Sequence, residues 1–317
     1  MKLTFLGSGR FGIDCLEGLI GSEHNVELIV TQPAKQAGRG RKATLTPAAQ
    51  WAKGHHIKLI EVPDVNDAGV VEEIAAVEPD ILIVIAFGQK IGSRLLNLAP
   101  KGAINVHASL LPKYRGAAPI NWAIINGETH TGVSIIKITE KMDAGDIIAQ
   151  AKAEIFAGET AGELHDRLAV IAVPLLLNTL GQIARGGAIY TAQDDSKSTL
   201  APKLKKSDGF LDFNESADSL DHKIRGFWPW PGASAIYVSK QTARQERIVI
   251  ARAAAVKSSP DSALSPGSLD ENLNVVCGTG ALEIIEIKPA GSNLMKFTDF
   301  VNGRRIKPGD MFIPVSD

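Results

Sequence analysis

The run Ile81-Leu82-Ile83-Val84-Ile85 constrains the fold more than any other stretch of the chain. Side chains alternate between the two faces of a strand, so an unbroken apolar run needs both faces covered. A central strand of a parallel sheet meets that condition. Strand-like runs at 2–6, 26–30, 58–61 and 103–106 are separated by helical patterns at 11–19, 47–52, 68–77 and 94–98. Thr46-Pro47 reads as an N-cap followed by proline at the first helical position. This alternation predicts an α/β fold with a Rossmann-like, doubly wound, mostly parallel sheet.

At 317 residues the chain exceeds one typical domain, and its texture changes with distance along it. Strand-like runs at 133–138 and 147–151 precede a helix expected over 161–184. That helix carries Leu164, Leu168, Ile171, Leu175 and Leu176, with Gly186-Gly187 as its stop. Residues 193–206 are polar, hold several lysines and Pro202, and read as a linker. Short β-rich runs then fall at 235–238, 247–251, 273–277, 282–288 and 311–315, broken by Gly, Pro, Asn and Ser. That is the pattern of a small, OB-like β-barrel. The expected division is an α/β domain over 1–190, a linker over 191–206 and a C-terminal barrel over 207–317.

Composition narrows the function classes. Apolar residues make up 44% of the chain, enough for a proper core, and no run of 18 uncharged apolar residues predicts a membrane span. The sequence enters a strand-like run at Lys2, so no leader segment is expected. Cys15 and Cys277 stand far apart, outside any disulfide framework or metal-ligand spacing, as suits a reducing cytoplasm. The net charge of −1 lacks the basic excess of a nucleic-acid binder, so RNA contacts would have to come from local clusters.

Gly7-Ser8-Gly9-Arg10-Phe11-Gly12 fits the dinucleotide fingerprint G-x-G-x-x-G. That fingerprint also needs a carboxylate at the end of the second strand, and Ile29-Val30-Thr31-Gln32-Pro33 offers none. The glycines are therefore expected to serve a tight strand-to-helix turn and close packing.

The richest chemistry lies in Gly102-Ala103-Ile104-Asn105-Val106-His107-Ala108-Ser109-Leu110-Leu111-Pro112. Two residues apart on a strand, Asn105 and His107 share a face. They also stand at the strand's C-terminal end, where open α/β sheets hold ligands. An amide donor beside an imidazole suits acyl transfer: one stabilises an oxyanion, the other stabilises it or shuttles a proton. Downstream, Lys141-Met142-Asp143-Ala144-Gly145-Asp146 offers two carboxylates, and either can approach and orient the imidazole.

The motifs Asn105-x-His107-x-Ser109-Leu110-Leu111-Pro112, Arg115-Gly116-Ala117-Ala118-Pro119 and Asp143-x-Gly145 resemble those of the folate-dependent formyltransferase superfamily. The resemblance covers nearly the whole chain. Thr31-Gln32-Pro33, Gly38-Arg39-Gly40 and Phe227-x-Pro229-Trp230-Pro231 are similar, in order and position, to the branch acting on initiator methionyl-tRNA. The resemblance implies transfer of a formyl group from 10-formyltetrahydrofolate to the methionine α-amine. The attack would be direct, through a tetrahedral intermediate without metal, in a cytoplasmic monomer. It also implies catalytic roles for Asn105, His107 and Asp143, and a folate pocket containing Phe87, Gly88, Ser109, Leu110, Leu111 and Pro112. Where the family reads Gly-Thr-Pro, this chain has Gly7-Ser8-Gly9, which predicts a differently shaped loop and unchanged chemistry.

For the tRNA, Arg39, Arg41 and Lys42 lie among glycines between the second strand and the next helix, suited to gripping phosphates. By family position, Arg39 would enter the acceptor stem. Lys203, Lys205 and Lys206, then Arg304, Arg305 and Lys307, are further candidates. From Lys203 to Asp317 there are fifteen Lys/Arg and fourteen Asp/Glu, so this part must sort its charges onto one face to hold tRNA. The rival within the superfamily is a formyltransferase acting on an amino-sugar nucleotide. An NAD oxidoreductase and a non-catalytic tRNA-binding protein are the readings from other classes.

Overall fold

The computed structural model describes residues 1–37, 42–256 and 264–315. The first part of the chain forms β1 (Lys2–Gly7), β2 (Asn25–Thr31), β3 (Lys35–Ala37), β4 (Lys42–Thr44), β5 (Leu59–Glu61), β6 (Ile81–Ile85), β7 (Ala103–His107), β8 (Arg115–Gly116), β9 (His130–Lys137) and β10 (Ile147–Glu154). Its helices are α1 (Ile13–Ile20), α2 (Pro47–Gly54), α3 (Ala68–Ala75), α4 (Ser93–Leu96), α5 (Pro119–Ile125) and α6 (Ala161–Ala184).

Seven of these strands make one sheet, in the order β10-β9-β7-β6-β1-β2-β5. The pairs β1–β2, β1–β6, β6–β7 and β2–β5 are parallel, and β9 runs antiparallel to β7. All five residues of β6 are buried, as its unbroken apolar run requires. The chain leaves β1 for β2 on one side and returns to β6 on the other, so the topological switch falls between β1 and β6. The registers Leu6↔Val84 and Val84↔Asn105 bring the C-terminal ends of β1, β6 and β7 to one edge.

Local signals behave as their chemistry dictates. Thr46 caps α2 by accepting from the Ala49 amide, with Pro47 in the first turn. Helix α6 buries Leu164, Leu168, Ala172, Leu176 and Leu180, while Pro174 sits on its exposed side. This helix is long and apolar enough to cross a membrane by length and composition alone. The glycines at and just beyond the end of β1 serve close packing. A β-carbon on Gly7 would lie 2.8 Å from the Ile85 carbonyl oxygen, and one on Gly12 2.8 Å from the Phe5 ring. Strands β3 and β4 pair antiparallel in a segment that reads as loop from sequence.

The chain divides into two compact units: residues 1–119, 131–154 and 165–202 form one, and 120–130, 155–164 and 203–317 form the other. The second unit adds β12 (Ala233–Val238), β13 (Gln245–Val256), β14 (Val275–Val276), β15 (Ala281–Pro289), β16 (Met295–Lys296) and β17 (Met311–Ile313), with helices α7 (Ala217–Phe227) and α8 (Phe297–Arg304). The preceding β11 (Leu200–Ala201) belongs to the first unit, where it pairs with β8.

The second unit's sheet runs β14-β15-β13-β12-β17, and β16 pairs with β15. Bridges Ser268↔Met311 and Leu269↔Val275 link its two edges, bending it into a nearly closed barrel. Tyr237, Phe300 and Phe312 fill the interior, and the Tyr237 hydroxyl donates to Asp310 Oδ2 at 2.7 Å. Close backbone approach brings α5 into this unit. Asn121 Nδ2 donates to the Gly226 carbonyl at 2.7 Å, and a β-carbon on Gly226 would stand 3.1 Å from the Asn121 carbonyl oxygen.

Candidate active site

Strand β7 places Asn105 and His107 at the sheet edge where the topological switch lies. His107 is buried, and its Nε2 stands 2.9 Å from the Tyr114 carbonyl oxygen. A carbonyl only accepts, so Nε2 carries the proton. The other ring nitrogen, Nδ1, faces Asp143 Oδ2 at 3.6 Å. Of the two carboxylates in the 141–146 turn, Asp143 is the one that meets the imidazole.

Asp143 is held on several sides. Its Oδ2 accepts from the Gly116 amide at 2.9 Å, and its Oδ1 accepts a long bond from Asn105 Nδ2 at 3.3 Å. Its backbone lies in the left-handed region, with φ +49°. Gly145, two residues on, packs so tightly on β9 that a β-carbon there would collide with the Lys137 carbonyl. The Lys137 amide donates to the Asp146 carbonyl at 2.9 Å, closing the turn against the strand.

The Ser109–Pro112 loop is tied to β9 through one buried hydroxyl. Ser134 Oγ donates to the Ser109 carbonyl at 2.6 Å and accepts from the Leu111 amide at 3.0 Å and from Gln150 Nε2 at 2.7 Å. Gln150 Nε2 also reaches the Leu111 carbonyl at 2.9 Å, and the Leu111-Pro112 bond is cis. Leu110, half-buried, lies beside Gly132, where a β-carbon would stand 2.6 Å from its Cδ2.

Phe87 and Gly88 follow β6 at the same sheet edge. The Phe87 ring is buried in the core with Leu6, Val30 and Val84, and its carbonyl accepts from Gln32 Nε2 at 2.7 Å. Gly88 adopts φ +76°, a conformation that suits glycine. Ser8, at the variant position after β1, accepts from the Gln32 amide at 3.0 Å and the Thr31 hydroxyl at 3.1 Å.

Three residues that sequence reasoning assigned to a linker reach this region: Gln193, Asp195 and Thr199. Thr199 Oγ1 accepts from the Tyr114 amide at 2.8 Å, and the Thr199 carbonyl accepts from the Arg115 amide at 2.8 Å. Asp195 binds Arg115 at 2.7 Å and Lys141 at 2.6 Å, and Lys141 and then Arg115 hold its carboxyl below the usual carboxylate range. A cavity of about 300 Å³ lies here, lined by Arg115, Lys141, Met142, Asp195, Ser198 and Leu200.

Residues 1–180 match the formyl transferase family model, and residues 203–305 match that of the formyl transferase C-terminal domain. The chain belongs to the formyltransferase family. It is 37% identical to a methionyl-tRNA formyltransferase of Citrifermentans bemidjiense, covering 98% of this chain and 96% of that one. A methionyl-tRNA formyltransferase of Alkaliphilus oremlandii is 38% identical, over 98% and 99% of the two chains. Among solved structures, HypX from Aquifex aeolicus in complex with tetrahydrofolic acid superposes with a TM-score of 0.64 at 18% identity, covering 95% of this chain and 47% of that longer one. The sugar 3N-formyltransferase WlaRD also gives 0.64, at 15% identity, over 92% and 99%. These two likenesses establish the shared fold.

The residues nominated for tRNA are distributed unevenly. Arg39 and Arg41 lie outside the described residues, and Lys42 begins β4. Lys203, Lys205 and Lys206 are exposed in the second unit. Arg304 is committed within that unit: it donates to both Glu246 oxygens, at 2.9 and 3.0 Å, and lies over the Phe300 ring.

Proposed function

We propose that this formyltransferase moves the formyl group of 10-formyltetrahydrofolate onto the α-amine of methionine on initiator tRNA. The observation that carries the reading is likeness to methionyl-tRNA formyltransferases over essentially the full length of both chains, C-terminal domain included. Asn105, His107 and Asp143 are assigned the chemistry. The bound folate supplies the activated formyl group. Ser109–Pro112, fixed by Ser134 and Gln150, and Phe87-Gly88 are assigned to holding it. The half-buried, apolar Leu110 beside a firmly hydrogen-bonded loop suits the edge of a flat heterocycle.

Asn105 spends one Nδ2 hydrogen on Asp143, and its second is available to the oxyanion that develops on the formyl oxygen. With Nε2 bound to the Tyr114 carbonyl, the imidazole offers Nδ1 as its basic nitrogen. Nδ1 takes the proton released by the attacking amine, and the Asp143 carboxylate offsets the resulting charge. The proton then passes to the departing folate nitrogen as its bond to the formyl carbon breaks. Arg39, Arg41, Lys42, Lys203, Lys205 and Lys206 are assigned to the tRNA backbone, and the C-terminal barrel domain to its recognition. The enzyme is expected to work as a cytoplasmic monomer.

Incubating the protein with 10-formyltetrahydrofolate and initiator Met-tRNA tests the assignment: formylmethionyl-tRNA should accumulate. Formylation of an amino-sugar nucleotide with no product on Met-tRNA would replace this reading with the sugar-directed one.

A further inference from the structure

We infer that Gln193 is a positioning residue for Asp143, and that Arg115 acts by fixing which way the Gln193 amide points; the inference rests on the formyl-transfer reading above. Gln193 Nε2 has two hydrogens, and both are used on the Asp143 turn. One reaches the Asp143 carbonyl at 2.9 Å and the other the Gly145 carbonyl at 2.7 Å. An amide can turn over and present its oxygen instead, which would set three oxygens against one another. Arg115 prevents this. Its Nε and Nη2 both donate to Gln193 Oε1, at 3.1 and 2.7 Å, and a guanidinium has no acceptor to offer the reversed amide.

The arrangement answers a need of the site. Asp143 occupies a left-handed backbone conformation that non-glycine residues seldom adopt, so surrounding contacts must hold it there. Gln193 grips the main chain on both sides of Ala144, while Gly116 grips the Asp143 carboxylate through the neighbouring β8. Arg115 sits in that same strand, so one element anchors the turn twice: through the Gly116 amide and, via Gln193, through Arg115. Arg115 is itself buried and braced on its far side by Asp195, which Lys141 also holds. A tightly clamped main chain leaves the carboxylate little freedom to move from His107. Catalytic groups misplaced by about 1 Å commonly lose on the order of 10²-fold in rate.

The test is Gln193→Met, which keeps the side chain's bulk and removes both donors, alongside Gln193→Ala. Each should lower kcat for Met-tRNA formylation by at least ~10-fold, as loss of an orienting partner does. KM for both substrates should stay within about threefold, and thermal midpoints should stay close to that of the wild type. The decisive measurement is the cycle with Asp143→Asn. If Gln193 works through Asp143, adding Gln193→Met to Asp143→Asn should slow the enzyme by less than about twofold. A full, multiplicative loss in the double variant, or a wild-type kcat in Gln193→Met, overturns the inference. A wild-type enzyme that forms no formylmethionyl-tRNA would instead sink the functional reading itself.

Discussion

Gly145→Ala is the sharpest single perturbation of the site. A methyl group there would fall on the Lys137 carbonyl, 2.9 Å from its carbon and closer still to its oxygen, and 3.2 Å from Thr139 Cγ2. Non-bonded carbons pack at about 3.5–4.0 Å, so the turn must retreat from β9 by on the order of 1 Å. The obstacle is main chain, which cannot rotate away as a flexible side chain could. The retreat stretches the Lys137–Asp146 hydrogen bond and drags the Gln193-held carbonyls with it, moving Asp143 away from His107. Overpacking of this kind costs about 1–3 kcal/mol of stability, and the displaced carboxylate should lower kcat by roughly 10²-fold. Gly54→Ala is the control: nothing lies within 4 Å of its β-carbon, and alanine should gain up to about 1 kcal/mol within α2. Urea unfolding gives the stability change, and steady-state formylation at a temperature where both variants are folded gives the rate. A folded Gly145→Ala enzyme with wild-type kcat would refute the claim that this turn sets the position of Asp143.

Three further outcomes follow from the hydrogen bonding. Ser134→Ala removes the hydroxyl shared by Leu111, Gln150 and Ser109, and should cost about 1–3 kcal/mol while raising KM for the folate donor; an unchanged KM would detach this loop from folate binding. Thr46→Ala removes the α2 cap and a partner of Thr31, and should lower stability by about 1–2 kcal/mol in denaturant titration. Hydrogen bonds from Arg304 depress the Glu246 carboxyl, so its stabilisation is present above the ordinary value of 4.5 and is lost as pH falls through the lowered folded value. Glu246→Gln should therefore cost about 1–2 kcal/mol at pH 7 and progressively less as pH falls below the ordinary value of 4.5, and a gap that stayed constant with pH would contradict this.

What could be read from sequence depended on how local each determinant was. The Ile81–Ile85 run predicted a buried central strand because burial on both faces leaves a direct mark on composition. Asn105 and His107 were legible as a pair because strand geometry alone puts them on one face. The choice between Asp143 and Asp146 was not, because it depends on a left-handed turn and on Gly145 meeting Lys137, eight residues away on another strand. Gln193 left no signal: it lies in a polar segment with the composition of a linker, and its role comes entirely from the partners folding brings to it. Helix α8 was equally hidden. Thr298, Asn302 and Gly303 are poor helix formers, and the burial of Phe297 and Phe300 in the barrel core overrides them. Grouping of α5 with the second unit depends on Gly226, whose missing side chain lets two backbones meet.

The most direct test of the account is single-turnover and steady-state formylation of initiator Met-tRNA by the wild type and by Asn105→Ala, His107→Ala and Asp143→Asn. The wild type should produce formylmethionyl-tRNA. Each variant, folded by circular dichroism, should lose at least ~10²-fold in rate, the range of a lost oxyanion donor or proton-transfer group. A folded His107→Ala enzyme within threefold of the wild type, or a wild type inert toward Met-tRNA with intact folate donor, would contradict it.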